Sequence, residues 1–328
     1  MNERSQIPIE SRLMQTLLSD RFALTAEVVP PVSAGADDLF SEIDLLKDHV
    51  DAINLADSAG GRVHMSGLAC AALMIAKGIE PVLQVTCRDR NRLALYSDLL
   101  GAGAIGVHNL LIMKGDNLNA AEMPNTKVVH DVDSAELIET ATALTATGIL
   151  RSRGLRFTSD GVATEEKQIK SPPTFFVGAA DLPGATDTEW WRGSLRKKVQ
   201  AGAQFIQTQL CFCKETITNY AQALRQDRLN DNLFVLIGTG PLKSARSAIW
   251  MRDNLYGATV PDTVIERLRN ASDQRAEGIS ICAELLEHIA QTRGLSGAHL
   301  MAPGNVDAIP EVIARAGTNL QDLKMARA

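Results

Sequence analysis

The sequence predicts a (β/α)8 TIM barrel, and three observations carry the prediction. Eight short runs rich in β-branched and other apolar residues recur along the 328 residues. Several are nearly continuous in apolar residues, the pattern of strands covered on both faces of a parallel sheet. Segments with apolar residues at helical spacing lie between them, so strand and helix alternate about eight times. An open doubly wound sheet is the second reading, but no GxGxxG follows the first strand. Barrels of this size form one domain, which gives 1–328 as its bounds.

The elements follow in order. The first strand is 22–29, stopped by Pro30-Pro31, because proline has no N–H for a ladder. In 36–48, Leu39, Phe40, Ile43 and Leu46 fall at helical spacing. Strands 51–56, 81–87 and 109–115 alternate with the weaker helical patterns 63–77 and 89–103. In 133–147, Asp133 and Glu136 suit a capping box ahead of Leu137, Ile138, Ala141 and Leu144. Residues 148–173 are long and polar and include Ser171-Pro172-Pro173. They read as an elaborated loop before strand five, of a size to hold a small hairpin, and not as a domain linker. Strand 174–180 precedes a helix at 194–203, where Leu195, Val199 and Ala203 share a stripe. Strand 205–212, helix 214–226, strand 233–238 and helix 242–253 follow. Helix 275–292 carries Ile279, Cys282, Leu285, Leu286 and Ile289 on one face, ahead of the last strand, 297–302.

Composition narrows the function. Apolar residues make up 45%, charged residues 22%, and the formal charge is −6, which argues against a nucleic-acid footprint. The first twenty residues carry Glu3, Arg4, Glu10, Arg12 and Asp20, so no signal sequence is expected there, and no run is long enough for a membrane span. Five scattered cysteines suit reduced thiols and a cytoplasmic location. Cys211 and Cys213 fall on opposite strand faces and the histidines lack HExxH spacing, so no metal site is expected.

In a barrel the active site gathers at the strand C-termini. Those tips carry Glu27; Asn54 and Asp57; Gln84, Thr86 and Arg88-Asp89-Arg90; Lys114-Gly115-Asp116-Asn117; Ala180-Asp181; Gln207 and Gln209; Gly238-Thr239-Gly240; and Pro303-Gly304-Asn305. Glu27 stands out because an ionisable group at the tip of a core strand needs a partner or a task. Taken singly, Lys114-Gly115-Asp116 reads as a solvated turn, Gln209 as a wall residue and Asp131 and Asp133 as helix caps. Arg196-Lys197-Lys198 reads as a solvated face. Trp190 and Trp191 are surface candidates.

Together the tips resemble a known family. The runs Thr25-Ala26-Glu27-Val28-Val29-Pro30-Pro31, Leu83-Gln84-Val85-Thr86-Cys87-Arg88-Asp89-Arg90-Asn91 and Ile112-Met113-Lys114-Gly115-Asp116 are similar to methylenetetrahydrofolate reductases. So are residues 197–209 and Gly297-Ala298-His299-Leu300-Met301, in family order from about residue 20 to 305. The resemblance implies a barrel that binds FAD and reduces 5,10-methylenetetrahydrofolate to 5-methyltetrahydrofolate, with NADH or NADPH as reductant in a ping-pong scheme. It makes Glu27 the catalytic acid and Asp116 the carboxylate beside flavin and pterin. Gln209 becomes a pterin contact and Lys198 a lysine near the flavin phosphates. Gln84, Lys114, Gly115, Asp133 and Ala180 complete the flavin site. The chain departs from the best-known bacterial members, with Gln84 for a histidine, Lys114 for an arginine, Asp181 near a flavin-contacting tyrosine, and Val306 where an arginine is expected. The subgroup fused to, or working beside, methyltransferases is the more similar. A methyltransferase partner or a homo-oligomer is therefore the assembly to expect. Two other readings keep the folate but drop the flavin: a folate-dependent methyltransferase or demethylase, and a folate-binding partner subunit.

The implied chemistry suits these residue types. Opening the N5–N10 methylene bridge needs a proton on N10, and burial among Ala26, Val28 and Val29 is expected to raise the Glu27 pKa toward that task. Asp116, in a polar turn, is expected to stay charged, and Gln209 can both donate to and accept from a pterin edge.

Overall fold

The computed structural model describes residues 11–116, 125–158, 161–186 and 188–317. Eight parallel strands close into a barrel: β1 (Ala23–Val28), β2 (Ala52–Leu55), β3 (Pro81–Thr86), β4 (Asn109–Met113), β7 (Phe176–Asp181), β8 (Phe205–Leu210), β9 (Phe234–Thr239) and β10 (Gly297–Leu300). Neighbours follow chain order, and β10 closes on β1 with Ala23 opposite Gly297 and Ala26 opposite Leu300. All eight predicted strands form.

The predicted helices form as well: α2 (Ala36–Leu46), α3 (Gly67–Ala76), α4 (Arg92–Ala104), α5 (Ser134–Thr147), α6 (Glu189–Gln200), α7 (Lys214–Gln226), α8 (Ala245–Asn254) and α10 (Gln274–Gln291). Asp133 caps α5, its side chain accepting from Glu136 N at 2.9 Å. The long loop before the fifth barrel strand contains an antiparallel hairpin, β5 (Ile149–Thr158) with β6 (Gly161–Gln168). The hairpin joins the end of α5 to the start of β7, so it belongs to the end of the barrel opposite the strand C-termini.

Three helices were not anticipated: α1 (Arg12–Leu18), α9 (Asp262–Asn270) and α11 (Ile309–Ala316). Helix α1 plugs the lower end of the barrel. Its Leu13, Met14 and Leu17 pack onto the inward-facing Ala23, Ala52, Val82, Leu111, Phe176, Phe205, Phe234 and Leu236. Glu80 holds the helix there, taking Arg12 N at 2.7 Å and Leu13 N at 3.0 Å, a carboxylate on orphan N-terminal donors. Phe176 and Phe205 stack at 4.7 Å between centroids. Gly178 makes room for that stack, because a Cβ there would come within 2.3 Å of the Phe205 ring.

The alternate residues of each strand, such as Leu24, Ala26 and Val28 on β1, face the helices in the larger core. This corrects one expectation. Ala26 and Val28 do not surround the Glu27 carboxylate; strand alternation sends them to the opposite side of the wall.

Helices α8 and α9 make the connection after β9 unusually long. The segment between them joins the top of β8, with Phe212 N donating to Thr259 O at 2.8 Å and Thr259 N to Leu210 O at 2.9 Å. Among the described residues, no helix is long and apolar enough to cross a membrane.

Candidate active site

Above the apolar plug, the barrel interior turns polar. Thr25, Asn54, Gln84, Gln207 and His299 are each at most 5% exposed, and Glu27 stands over them at the tip of β1. The alternation that buries Ala23 and Ala52 in the plug puts Thr25 and Asn54 one layer higher on the same face. Asn54 and Gln207 pair through both amide groups, at 2.6 and 3.1 Å. Gln207 Nε2 also donates to Thr25 Oγ1 at 2.9 Å, and Thr25 Oγ1 meets His299 Nδ1 at 2.9 Å. Gln84 Nε2 donates to Glu27 Oε2 at 2.6 Å. His299 Nε2 faces the same oxygen at 3.8 Å.

A charged wall covers the tips of β2, β3 and β4. Asp57 accepts from Thr86 N at 2.8 Å and Thr86 Oγ1 at 2.9 Å, and pairs with Arg90. Arg88 is 1% exposed and binds Asp89 through two nitrogens, at 2.6 and 2.7 Å. The same guanidinium reaches Ser58 O at 3.0 Å and Asp116 O at 3.3 Å, so one buried cation ties three loops together. Hydrogen bonding to Asp89, foremost, holds Arg88 firmly charged. Gly115 lies at φ 92°, and a Cβ there would run into Arg88 at 2.8 Å. The exposed Asp116 carboxylate takes Gly60 N at 3.1 Å.

The rim at β7 is built differently. Ala180 continues the inward face, while Asp181 turns outward and is 6% exposed. Asp181 Oδ2 accepts from Trp191 Nε1 at 2.9 Å and Tyr220 Oη at 2.7 Å. Lys198 Nζ donates to Ala180 O at 2.7 Å and lies 3.7 Å from Asp181 Oδ1. Burial pushes the Asp181 carboxyl up, opposed by Lys198 and the two donors. Trp191, a surface candidate from sequence, is 0% exposed because its indole N–H serves this carboxylate.

The candidate residues thus share one end of the barrel in separate groups. Glu27 and Gln84 touch. Lys114, Gly115 and Asp116 sit on the β4 rim. Asp133 caps α5 and pairs with Lys197 at 2.6 Å, which foremost pulls its pKa down. Gln209 accepts from Leu210 N at 2.9 Å and donates to Tyr256 O at 3.3 Å. No hydrogen bond joins Glu27, Asp116 and Gln209 among the described residues. Asn117 lies outside the described residues, and so does the side chain of Trp190. Among the described residues no group of three or more His, Cys, Asp or Glu could hold a metal ion. Val306 is buried at 6% exposure in a short 3-10 turn, an apolar residue where the resemblance leads one to expect an arginine. His299 and Thr25 were missed as interior polar residues; their place two positions from Met301 and Glu27 is the signal that could have found them.

A closed parallel barrel with a polar, carboxylate-bearing mouth defines a (β/α)8 protein, a class whose sites gather at the strand C-termini. A family model narrows this: residues 12–147 and 169–317 match methylenetetrahydrofolate reductase, and the chain belongs to that family. The interruption in the match coincides with the β5–β6 hairpin. Among solved structures, an uncharacterized protein from Clostridium thermocellum, described as binding two copies of 5-methyl-5,6,7,8-tetrahydrofolic acid, is similar with a TM-score of 0.61. It is 12% identical, over 95% of this chain and 99% of that one, which speaks to fold. A 2,3-dimethylmalate lyase of the PEP mutase/isocitrate lyase superfamily follows at TM-score 0.46 and 13% identity, over 94% and 86%. No curated protein sequence matches the chain.

Proposed function

We propose that the chain interconverts 5,10-methylenetetrahydrofolate and 5-methyltetrahydrofolate by hydride transfer through bound FAD, with NAD(P)H as reductant. The observation that carries this is Glu27, a carboxylate over the buried polar layer of Thr25, Asn54, Gln84, Gln207 and His299, with Gln84 on one oxygen at 2.6 Å. Family membership supplies the reaction class, and the folate described in the Clostridium thermocellum protein supports the substrate.

The donor set fits a flavin. Amides at Gln84 and Gln209 suit a ring edge, Asp116 offers a carboxylate, and Ala180 keeps the inner rim low. Lys114 is exposed after β4, and Lys198 is delivered to the β7 rim by its bond to Ala180 O, so these are the two cations that would hold a diphosphate. Asp133 would serve the ribose side. A bound FAD would supply the hydride chemistry between nicotinamide and folate. The chain's own part is position and proton delivery. Glu27 gives its proton to N10, so the methylene bridge opens to an N5 iminium cation, and the carboxylate left behind stabilises that cation. Gln84 holds Glu27 in place, Asp116 supplies negative charge beside the rings, and Gln209 reads the pterin edge.

One observation favours a flavin-free folate protein instead. Lys198 already shares its charge with buried Asp181, which weakens its hold on a diphosphate. A visible spectrum separates the two. The reductase reading expects flavin bands in the purified chain, or on adding FAD, that bleach anaerobically with NADH or NADPH and return with methylenetetrahydrofolate. A chain that binds folate but never retains flavin would sink it.

A further inference from the structure

The barrel interior holds a histidine to which the reductase reading gives no task. His299, on β10, is 1% exposed. Its Nδ1 meets Thr25 Oγ1 at 2.9 Å, and Gln207 Nε2 donates to the same hydroxyl at 2.9 Å. Gln207 is fixed in turn by its double amide pairing with Asn54. The other ring nitrogen, Nε2, is buried without a hydrogen-bond partner and lies 3.8 Å from Glu27 Oε2.

With the Asn54 and Gln207 amides oriented as they stand, counting protons selects the tautomer. Thr25 has one hydroxyl proton, and one of its lone pairs takes the Gln207 N–H. With the ring proton on Nδ1, Thr25 would accept twice and its own proton would have no acceptor in a fully buried position. The bare lone pair on Nε2 would then face a carboxylate oxygen. With the ring proton on Nε2, Thr25 donates to Nδ1, the chain of bonds from Asn54 is satisfied, and an N–H faces Glu27.

We propose that His299 is a positioning residue for Glu27. It is a neutral imidazole protonated on Nε2 that, together with Gln84, directs both donors to Oε2 and leaves Oε1 as the oxygen that carries the acid proton. Among the described residues no hydrogen bond meets Oε1. The inference rests on the reading of Glu27 as the acid. In the step it supports, the Oε1–H bond breaks as N10–H forms, and the new negative charge is held at Oε2 by the amide of Gln84 and by the imidazole N–H, which closes in from 3.8 Å.

The test is ring 15N–1H NMR on the full chain at neutral pH, with His299 assigned by the signals lost in His299→Gln. A neutral ring protonated on Nε2 is expected. Thr25→Val, which removes the donor to Nδ1, should redistribute the proton between the two nitrogens. A wild-type ring protonated on Nδ1, or one indifferent to Thr25→Val, overturns the proposal; if Thr25→Val does not fold, the wild-type spectrum decides. In stopped flow, His299→Gln should slow the folate half-reaction roughly tenfold, the size of a weakened hydrogen bond to a charged group, and leave the nicotinamide half-reaction alone. The double variant with Glu27→Gln should be no slower than Glu27→Gln by itself, because both act on one proton transfer. A full Glu27→Gln effect beside an unaffected His299→Gln rejects the positioning role alone. An unchanged folate step in Glu27→Gln rejects the acid, and this inference with it.

Discussion

Two layers of the barrel interior, two residues apart on the same strands, are built to opposite rules. In the lower layer, Ala23, Ala52, Val82, Phe205 and Phe234 fill the cylinder with apolar volume, and Leu13, Met14 and Leu17 seal it. In the layer above, Thr25, Asn54, Gln84 and Gln207 occupy the same faces with polar groups that satisfy one another. The lower layer stabilises the closed sheet. The upper one spends burial on holding Glu27 and His299 in fixed orientation. A second contrast lies on the rim. Asp181 is enclosed by Trp191, Tyr220 and Lys198, with its donors in place, whereas no hydrogen bond meets Glu27 Oε1 among the described residues. Of two buried-side carboxylates at strand tips, the one with an oxygen to spare is suited to chemistry.

Substitutions can break these contrasts. Phe205→Ala, in the lower layer, should cost about 3–5 kcal/mol of stability, the range for deleting a buried aromatic ring. Urea unfolding checks it, and a loss below about 1 kcal/mol would mean the plug is not what holds the barrel closed. Gln209→Ala, at the mouth, should cost about 1 kcal/mol in unfolding, for its bonds to Leu210 N and Tyr256 O, and weaken 5-methyltetrahydrofolate binding by about threefold to tenfold, the worth of one or two neutral hydrogen bonds. Calorimetric titration reads this directly, and equal affinity in both proteins would remove Gln209 from the pterin site.

Asp181→Asn acts through pH, and the sign of that dependence is fixed by linkage. Burial raises the carboxyl in the folded chain, so the stability Asp181 contributes is fully present below the unfolded carboxylate value of about 4. That stability is lost as pH rises through the folded value. The variant lacks this loss, so its stability relative to the parent should improve as pH climbs through that window. Urea midpoints at a series of pH values test it. A difference that stays constant with pH would show that Lys198 cancels the burial cost.

Much of this was legible in the sequence. The strands were, because both faces are covered and each run is nearly all apolar. Glu27, Gln84, Gln207 and Gln209 were, because polar side chains interrupt those runs. Helix α1 was not: it has seven residues, and its apolar face makes sense only against a barrel floor that sequence does not display. His299 lies within a run that carries the family resemblance, yet a single histidine in an apolar run has no motif spacing to give it a role. Thr25 looked like an ordinary strand former. Trp191 is a surface candidate in the sequence, and only the fold brings Asp181 and Tyr220 to it. The environment of Glu27 was misread for a related reason: residues adjacent in a strand are on opposite faces.

The central claim is that Glu27 supplies the proton that opens the folate bridge. Stopped-flow measurement of both half-reactions in Glu27→Gln tests it most directly. Flavin reduction by the nicotinamide should stay close to wild type, while reoxidation by methylenetetrahydrofolate falls by roughly 10²–10⁴, the usual weight of a general acid. Reoxidation at the wild-type rate, or an equal fall in both half-reactions, would contradict the account.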